Sequence, residues 1–371
     1  MHTSRPPRIE IPPSSSTVRV RAIDTTTNII CHSRAFLEPE IQTHPHLNLK
    51  TFCFLIDHLE SGKKVLFDAG ARVDLENLPP KVRDGIAGKV KSVQVTSGVE
   101  DILQSAGISP AAIHTVVWSH WHWDHIGDIS KFPPTTTLVV GPSFRQEFTV
   151  GWPEDPDGVL RTSDLSSHSI REISFESSFQ IGDFKAHDFF GDGSFYLLSL
   201  PGHAIGHLGA LCRTSPETFI LLGADACHFL GAMRPTTHHP LSDEFLEPAQ
   251  LRKVSSCLCS LFTRSHSRTA PGEESENMSD ELARRTPFYG ISRHPDSVFM
   301  APDVAQRTVQ SLQAFDADQN MFLCFAHDGG LAHVVPLLNN EPDADLNSWK
   351  SLGYKQAGMW QFLEDLWPSS I

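Results

Sequence analysis

No stretch of the chain approaches the roughly 18 consecutive apolar residues that a helix needs to cross a bilayer, so no membrane span or membrane partner is expected. Positive charge is in deficit. The formal net charge is −14 at pH 7, which argues against nucleic acid and anionic lipid surfaces as partners. Cysteines number 7, an odd count without regular spacing. Most sit inside apolar runs, such as Cys53 in Phe52–Ile56 and Cys324 in Phe322–Phe325. Reduced, buried thiols in a cytoplasmic protein are the simplest reading. Cys257 and Cys259 form a C-x-C pair with no second pair to complete a metal site. The stretch Met1–Ser16 is polar, rich in Pro and Ser, and lacks the apolar core of a signal peptide. It reads as a disordered lead, with residues 17–371 as a single domain. There is no repeat at a solenoid period and no G-x-S-x-G elbow to present a serine nucleophile.

What is present is a folded-protein composition, 40% apolar and 20% charged over 371 residues, enough for a sizeable core. Phe52–Ile56 and Val65–Phe67 flank Ser61-Gly62 and predict a β-hairpin that ends at Asp68-Ala69-Gly70. Val99, Ile102, Leu103 and Ala106 fall at helical spacing, stopped by Gly107. Ile113–Trp118, Leu138–Val140, Phe219–Leu222 and Phe322–Phe325 read as short buried strands, and the pattern from Arg171 to Ala210 is β-like. Ala305, Thr308, Val309, Leu312 and Phe315 form a helical stripe behind Asp303 as cap. A last helix is expected to carry Trp360, Leu363, Leu366 and Trp367 on one face, ended by Pro368. Residues 264–280 look like a polar insert. Hairpins dominate the strand connections. The expected fold is therefore α+β, an αββα sandwich of two mixed sheets flanked by helices, rather than a doubly wound sheet.

The segment Ser119-His120-Trp121-His122-Trp123-Asp124-His125 puts four candidate ligands within six residues, directly after an apolar strand. Histidines at i and i+2 share one face of an extended chain, and imidazole with carboxylate is a zinc-type donor set. Further donors follow other apolar strands: His203 in Pro201-Gly202-His203-Ala204-Ile205-Gly206-His207, then Asp225, then His327. Donors delivered from strand ends to one edge suit a rigid metal site.

These motifs resemble the metallo-β-lactamase superfamily, over about Val18 to Gly330, and most closely its lactonase-like branch, which includes fungal lactone and lactam hydrolases. The resemblance implies two divalent metal ions, zinc the first choice. His120, His122 and His203 would hold one ion, Asp124, His125 and His327 the other, with Asp225 between them. Asp68 resembles the family's supporting aspartate, and His207 would pack near the site without ligating. Two such ions lower the pKa of a water from about 15.7 towards 7, and the hydroxide attacks an acyl carbonyl, with Asp124 as a candidate proton acceptor. In lactonases of the superfamily the place of His228 is often a tyrosine that polarises the substrate carbonyl. His228 is the candidate donor here, a departure from bacterial acyl-homoserine lactonases.

The implied activity is hydrolytic opening of a lactone or lactam in a small-molecule substrate. The alternative is an acyl thioesterase acting on a carrier-protein or glutathione thioester. The acidic chain weighs against a metallonuclease, the lack of a flavin module against a redox di-iron protein, and the full donor set against a decayed binding protein. Trp121, Trp123, Trp152, Phe144, Phe148, Phe189, Phe190 and Phe195 are candidates for an apolar pocket, with core packing the competing reading. The oligomeric state is open, a homodimer among the options.

Overall fold

The stretch from Val18 alternates apolar and polar residues, the period of a strand with one face in a core. In the computed structural model, described for residues 7–40, 45–176, 178–241 and 280–366, it forms the long strand β1, Val18–His32. The sequence reading had not singled it out, because Thr25, Thr26, Thr27 and Asn28 blur the alternation. A bulge at this point, between Asp24 and Asn28, resets the register, and Thr26 takes a positive φ of 59°.

Two sheets dominate. In the first, the order is β5 (Val90–Gln94), β1, β3 (His46–His58), β4 (Lys64–Phe67), β6 (Ile113–Val117), β7 (Thr137–Val140) and β8 (Ile170–Glu172). The expected hairpin is the antiparallel β3–β4 pair, whereas β4, β6, β7 and β8 run parallel. In the second, the order is β15 (Met321–Phe325), β13 (Phe219–Ala224), β12 (Leu208–Arg213), β11 (Phe195–Ser199), β10 (Phe184–Asp188) and β9 (Phe179–Ile181), with β13 and β15 parallel. A small ribbon pairs β2 (Leu37–Glu38) with β14 (Gly290–Ile291).

The period-2 rule assigns the faces. Phe52, Phe54 and Ile56 point between the sheets, where they meet Leu197, Leu208 and Leu222. Cys53 and Leu55 point outward, under helix α2 (Val99–Ser105) with its Val99, Ile102 and Leu103. On the other side Leu198, Leu211, Leu221 and Leu323 face Val309, Leu312 and Phe315 of the helix Pro302–Ala317. These layers are the expected αββα sandwich. Among the described residues, no helix is long and apolar enough to cross a membrane.

Several local expectations are corrected. Residues 7–16 are not a disordered lead. Ile9 N donates to Asp318 at 2.8 Å, Ser14 Oγ to the Asp192 carbonyl at 2.5 Å, and the buried Arg213 to the Pro12 carbonyl at 2.5 Å. Asp303 is not the helix cap. Ala301 holds that place, and the Asp303 carboxylate instead accepts from Arg293 Nε at 2.8 Å. The last helix is replaced by a short turn of α-helix, Tyr354–Gly358, and a 3-10 segment, Gln361–Leu366, because Phe362 turns in against Phe229 and Phe288. Residues 264–279, Cys257, Cys259, Trp367 and Pro368 lie outside the described residues, and Asp280 opens a short helix, Asp280–Ala283.

Candidate metal centre

The C-terminal ends of β4, β6, β13 and β15 converge on one edge of the sandwich with the loop between β11 and β12. They deliver Asp68, the His120–His125 segment, Asp225, His327 and His203 respectively. After β6 the chain bends through Ser119–Trp121, and from the extended His122 it enters α3 (Trp123–Ile126), which carries Asp124 and His125 to the same edge.

His120 Nε2, His122 Nδ1 and His203 Nε2 stand 2.9 to 3.1 Å apart. A second trio, Asp124, His125 and His327, brings its ligand atoms within 4.8 Å of one another. Asp225 stands between the trios. Its Oδ2 is 3.3 Å from His203 Nε2 and 3.6 Å from His120 Nε2. Its Oδ1 is 3.0 Å from His125 Nε2 and 3.3 Å from His327 Nε2. All seven sequence-named donor residues therefore meet at one place.

Whether a cation fits can be read from the outer nitrogens. His125 Nδ1 donates to Asp68 Oδ2 at 2.9 Å, and His327 Nδ1 donates to the Lys50 carbonyl at 2.8 Å. Ser119 Oγ donates to Asp68 Oδ2 at 2.8 Å and accepts from His120 Nδ1 at 3.0 Å. These contacts place the ring protons on Nδ1 and turn bare Nε2 lone pairs into the cluster. Lone pairs at about 3 Å repel one another unless a shared cation lies among them. His125 Nε2 and Asp225 Oδ1 also lack a hydrogen-bond partner in the protein despite full burial. Buried polar atoms left in this way are costly. The donor set fits divalent cations.

Burial, then the neighbouring rings, hold His120 and His122 well below the usual imidazole pKa. At His125 burial opposes the charge, but Asp225, Asp124 and Asp68 outweigh it and push the ring well above its usual value, a surplus of negative charge that a cation on Nε2 would satisfy in place of a second proton. Burial likewise resists charge on Asp225, yet His125, His327, His228 and His120 keep the carboxylate well below the ordinary range. Asp68 and Ala224, at the ends of two delivering strands, hold positive φ of 63° and 43°. Such backbone strain, on the order of 1–3 kcal/mol each, concentrates at functional sites.

His207 accepts from the Asp225 backbone N–H through Nε2 at 3.2 Å, so it supports the loop rather than facing the cluster. His228 is buried with Nε2 3.0 Å from Asp225 Oδ2, and its ring stacks on His327 at 5.1 Å between centroids. Burial drives its pKa down to about 3, which leaves a neutral ring.

The cluster floors a cavity of about 480 Å³. Trp121 and Trp123 line it, as the sequence suggested. Trp152, Phe144, Phe148, Phe189, Phe190 and Phe195 do not. Phe144 and Phe195 are core residues, and the Phe148 ring packs against Trp121 at 5.5 Å between centroids. The remaining walls were not foreseen: Ile29 and Cys31 of β1, Phe36, Leu49, Met300, and Val82 and Ile86 of helix α1 (Pro80–Lys89). The β1 alternation was the available signal for Ile29 and Cys31. Nothing in the sequence marks α1 as a wall.

Comparison with known proteins agrees with this architecture. The family model described as the metallo-beta-lactamase superfamily matches residues 48–212. The metallo-hydrolase mfmC of Annulohypoxylon moriforme is 38% identical, over 98% of this chain and 91% of that protein. Gamma-lactamase FDB1 of Fusarium pseudograminearum is 35% identical, over 98% of this chain and 86% of that protein. The chain also aligns over 97% of its length with the monooxygenase mpaDE of Penicillium roqueforti, at 38% identity, but spans only 39% of that longer protein. Among solved structures, B. thuringiensis AiiA with N-decanoyl-L-homoserine at its active site superposes with a TM-score of 0.55. It is 16% identical, over 87% of this chain and 98% of that one, a likeness of fold. The chain belongs to the metallo-beta-lactamase superfamily.

Proposed function

We propose that the protein is a metal-dependent hydrolase that opens a lactone or lactam ring. The observation that carries this reading is the pair of donor trios sharing Asp225 at the floor of an apolar cavity. His120, His122 and His203 would hold one divalent ion, and Asp124, His125 and His327 the other, with Asp225 serving both. Zinc suits this nitrogen and carboxylate set. When bound, the pair supplies an acidified water and an electrophile for the carbonyl oxygen.

The chain's own residues then divide the remaining work. The apolar walls exclude bulk water and seat a neutral ring. Asp124 lines the cavity and is 7% exposed, the most accessible of the carboxylates in the cluster. It receives the proton released as water oxygen bonds to the carbonyl carbon. That proton passes to the leaving oxygen or nitrogen as the ring C–O or C–N bond breaks, leaving an open-chain acid. Neutral His228 cannot act as an acid near pH 7, but its Nε2–H can hydrogen-bond the substrate oxygen beside Asp225. A full-length relative named as a gamma-lactamase supports the ring-opening reading over a thioester substrate. A cytoplasmic setting accords with the buried free thiols of Cys31, Cys53, Cys212, Cys227 and Cys324.

The test is a hydrolysis screen of lactones, lactams and thioesters with metal analysis of the same preparation. About two metal equivalents and lactone or lactam turnover abolished by chelation are expected. Turnover that survives His122→Ala, or is confined to thioesters, overturns the reading.

A further inference from the structure

His228 stands between two spaces. Its ring borders the metal cavity and also a second, much smaller cavity of about 10 Å³ behind the centre. Phe229, Phe325 and Phe362 wall the rear space, together with the turn Asp328-Gly329. Its size is about that of a single water. Nε2 of His228 points to Asp225, which borders the larger cavity and not the rear one. Nδ1 is bonded to the ring carbon nearest the backbone, and Cys227 to Leu230 line the rear space. That nitrogen is buried and finds no hydrogen-bond partner in the protein. A polar atom left so is costly, and a water beside it removes the cost.

The charge at the rear cavity belongs to Asp328, which is half-buried. Its Oδ1 accepts from the Gly330 N–H at 3.1 Å. An ionised carboxylate offers about four acceptor positions, so it accommodates a water as well. A water that gives one hydrogen to this carboxylate keeps its other for Nδ1. Nδ1 must then be the acceptor, and a neutral ring carries its proton on Nε2.

The position of that proton decides between two roles. Asp225, His228 and His327 bring their ligand atoms within 4.8 Å of one another, so a bare Nε2 would make His228 a further metal donor. An Nε2–H instead gives the substrate oxygen a hydrogen bond. The His228 ring lies nearly parallel to His327, at 11°, so the two roles need no change of pose, only of tautomer.

We propose that the rear cavity binds one ordered water, and that Asp328 acts through it as a positioning residue, holding His228 in the Nε2–H form and out of the metal coordination. The ring-opening reading enters only as the source of the substrate oxygen that Nε2–H faces.

The test uses the zinc-loaded protein. A crystal structure of that form is expected to show a water within hydrogen-bond distance of both His228 Nδ1 and the Asp328 carboxylate. Nitrogen NMR of histidine-labelled protein, with the ring assigned by its loss in His228→Gln, should find Nε2 protonated and Nδ1 bare. Asp328→Asn keeps an acceptor for Gly330 but presents either face of an amide to the water, and the His228 signals should move towards the other tautomer. In that variant kcat for γ-butyrolactone falls about tenfold, part of the loss expected for a missing oxyanion donor, while KM and metal equivalents hold. A dry rear cavity, a wild-type ring protonated on Nδ1 or ligated through Nε2, or an Asn variant with the wild-type tautomer overturns the proposal. Wild-type protein that hydrolyses no lactone or lactam defeats the ring-opening reading instead, and the crystal and NMR results still decide the water and Asp328.

Discussion

Asp68 does not line the cavity, yet it sets the orientation of two rings of the cluster, His125 directly and His120 through Ser119. Its carboxylate accepts from His125 Nδ1, from Ser119 Oγ, and from the Ser119 backbone N–H at 2.7 Å. Asp68→Asn keeps the shape but removes the charge and one acceptor. It is expected to weaken metal affinity about 10–100-fold, measured by competition with a chromogenic chelator, while circular dichroism stays native. Outside the cluster, Arg234 grips Asp316 with two hydrogen bonds of 2.8 and 2.6 Å, both side chains buried. Burial alone would raise the Asp316 pKa, but Arg234 outweighs it and holds the carboxyl down to about 2, from an ordinary 3.8. A depressed carboxylate stabilises the fold above its unfolded pKa and loses that contribution as pH falls through its folded value. The share involved is about 2 kcal/mol, present above roughly pH 4 and lost towards pH 2. Asp316→Ala strands a buried guanidinium and is expected to cost about 3–5 kcal/mol. Urea unfolding at pH 7 and at pH 3 measures both effects, and the acid-sensitive part should vanish in the variant.

At the scale of elements, the loop between β11 and β12 shows how tightly a donor is placed. Gly202 has φ of 122°, and a Cβ there would lie 2.2 Å from Ala305 N in the first turn of the helix Pro302–Ala317. Only glycine lets that loop lie against the helix, and His203 is the next residue. Gly202→Ala is expected to cost about 1–3 kcal/mol and to lower metal stoichiometry towards one, read by metal analysis after dialysis. Several elements were legible because their signals are local. β4, β6, β13 and β15 are short apolar runs bounded by turn residues and α2 is a helical stripe, each close to where the pattern put it, while β3 (His46–His58) begins six residues before its apolar run at Phe52. The β1 strand was missed because its polar centre sits at a bulge, which breaks the alternation. The Asp303 cap was misread because Arg293, ten residues away in sequence, competes for its carboxylate. The final helix gave way to tertiary packing of Phe362.

Across the whole molecule, metal binding at this centre would be coupled to folding. The candidate donors lie just after β6, β13 and β15, in α3 and in the loop after β11, so ions held there would tie the two sheets together. Removing them leaves clustered lone pairs and buried carboxylates to repel or protonate. Chelation is expected to lower the thermal midpoint by an amount matching about 4 kcal/mol at a metal concentration of 1,000 Kd, and re-addition should restore it. A scan showing no shift on chelation would separate the cluster from stability.

The sequence alone put the candidate donors in order along the chain, and H-x-H-x-D-H after an apolar strand fixes the spacing of four of them through backbone geometry over a few residues. It also determined the two-sheet layering, since period-2 and helical stripes report which faces must be buried. Only the tertiary structure decided which oxygen of Asp225 turns to which trio. It likewise decided that His228 stacks on His327 and that β1 and α1 wall the cavity. Those are contacts between residues far apart in the chain, and they depend on sheet register and packing, which no local pattern encodes.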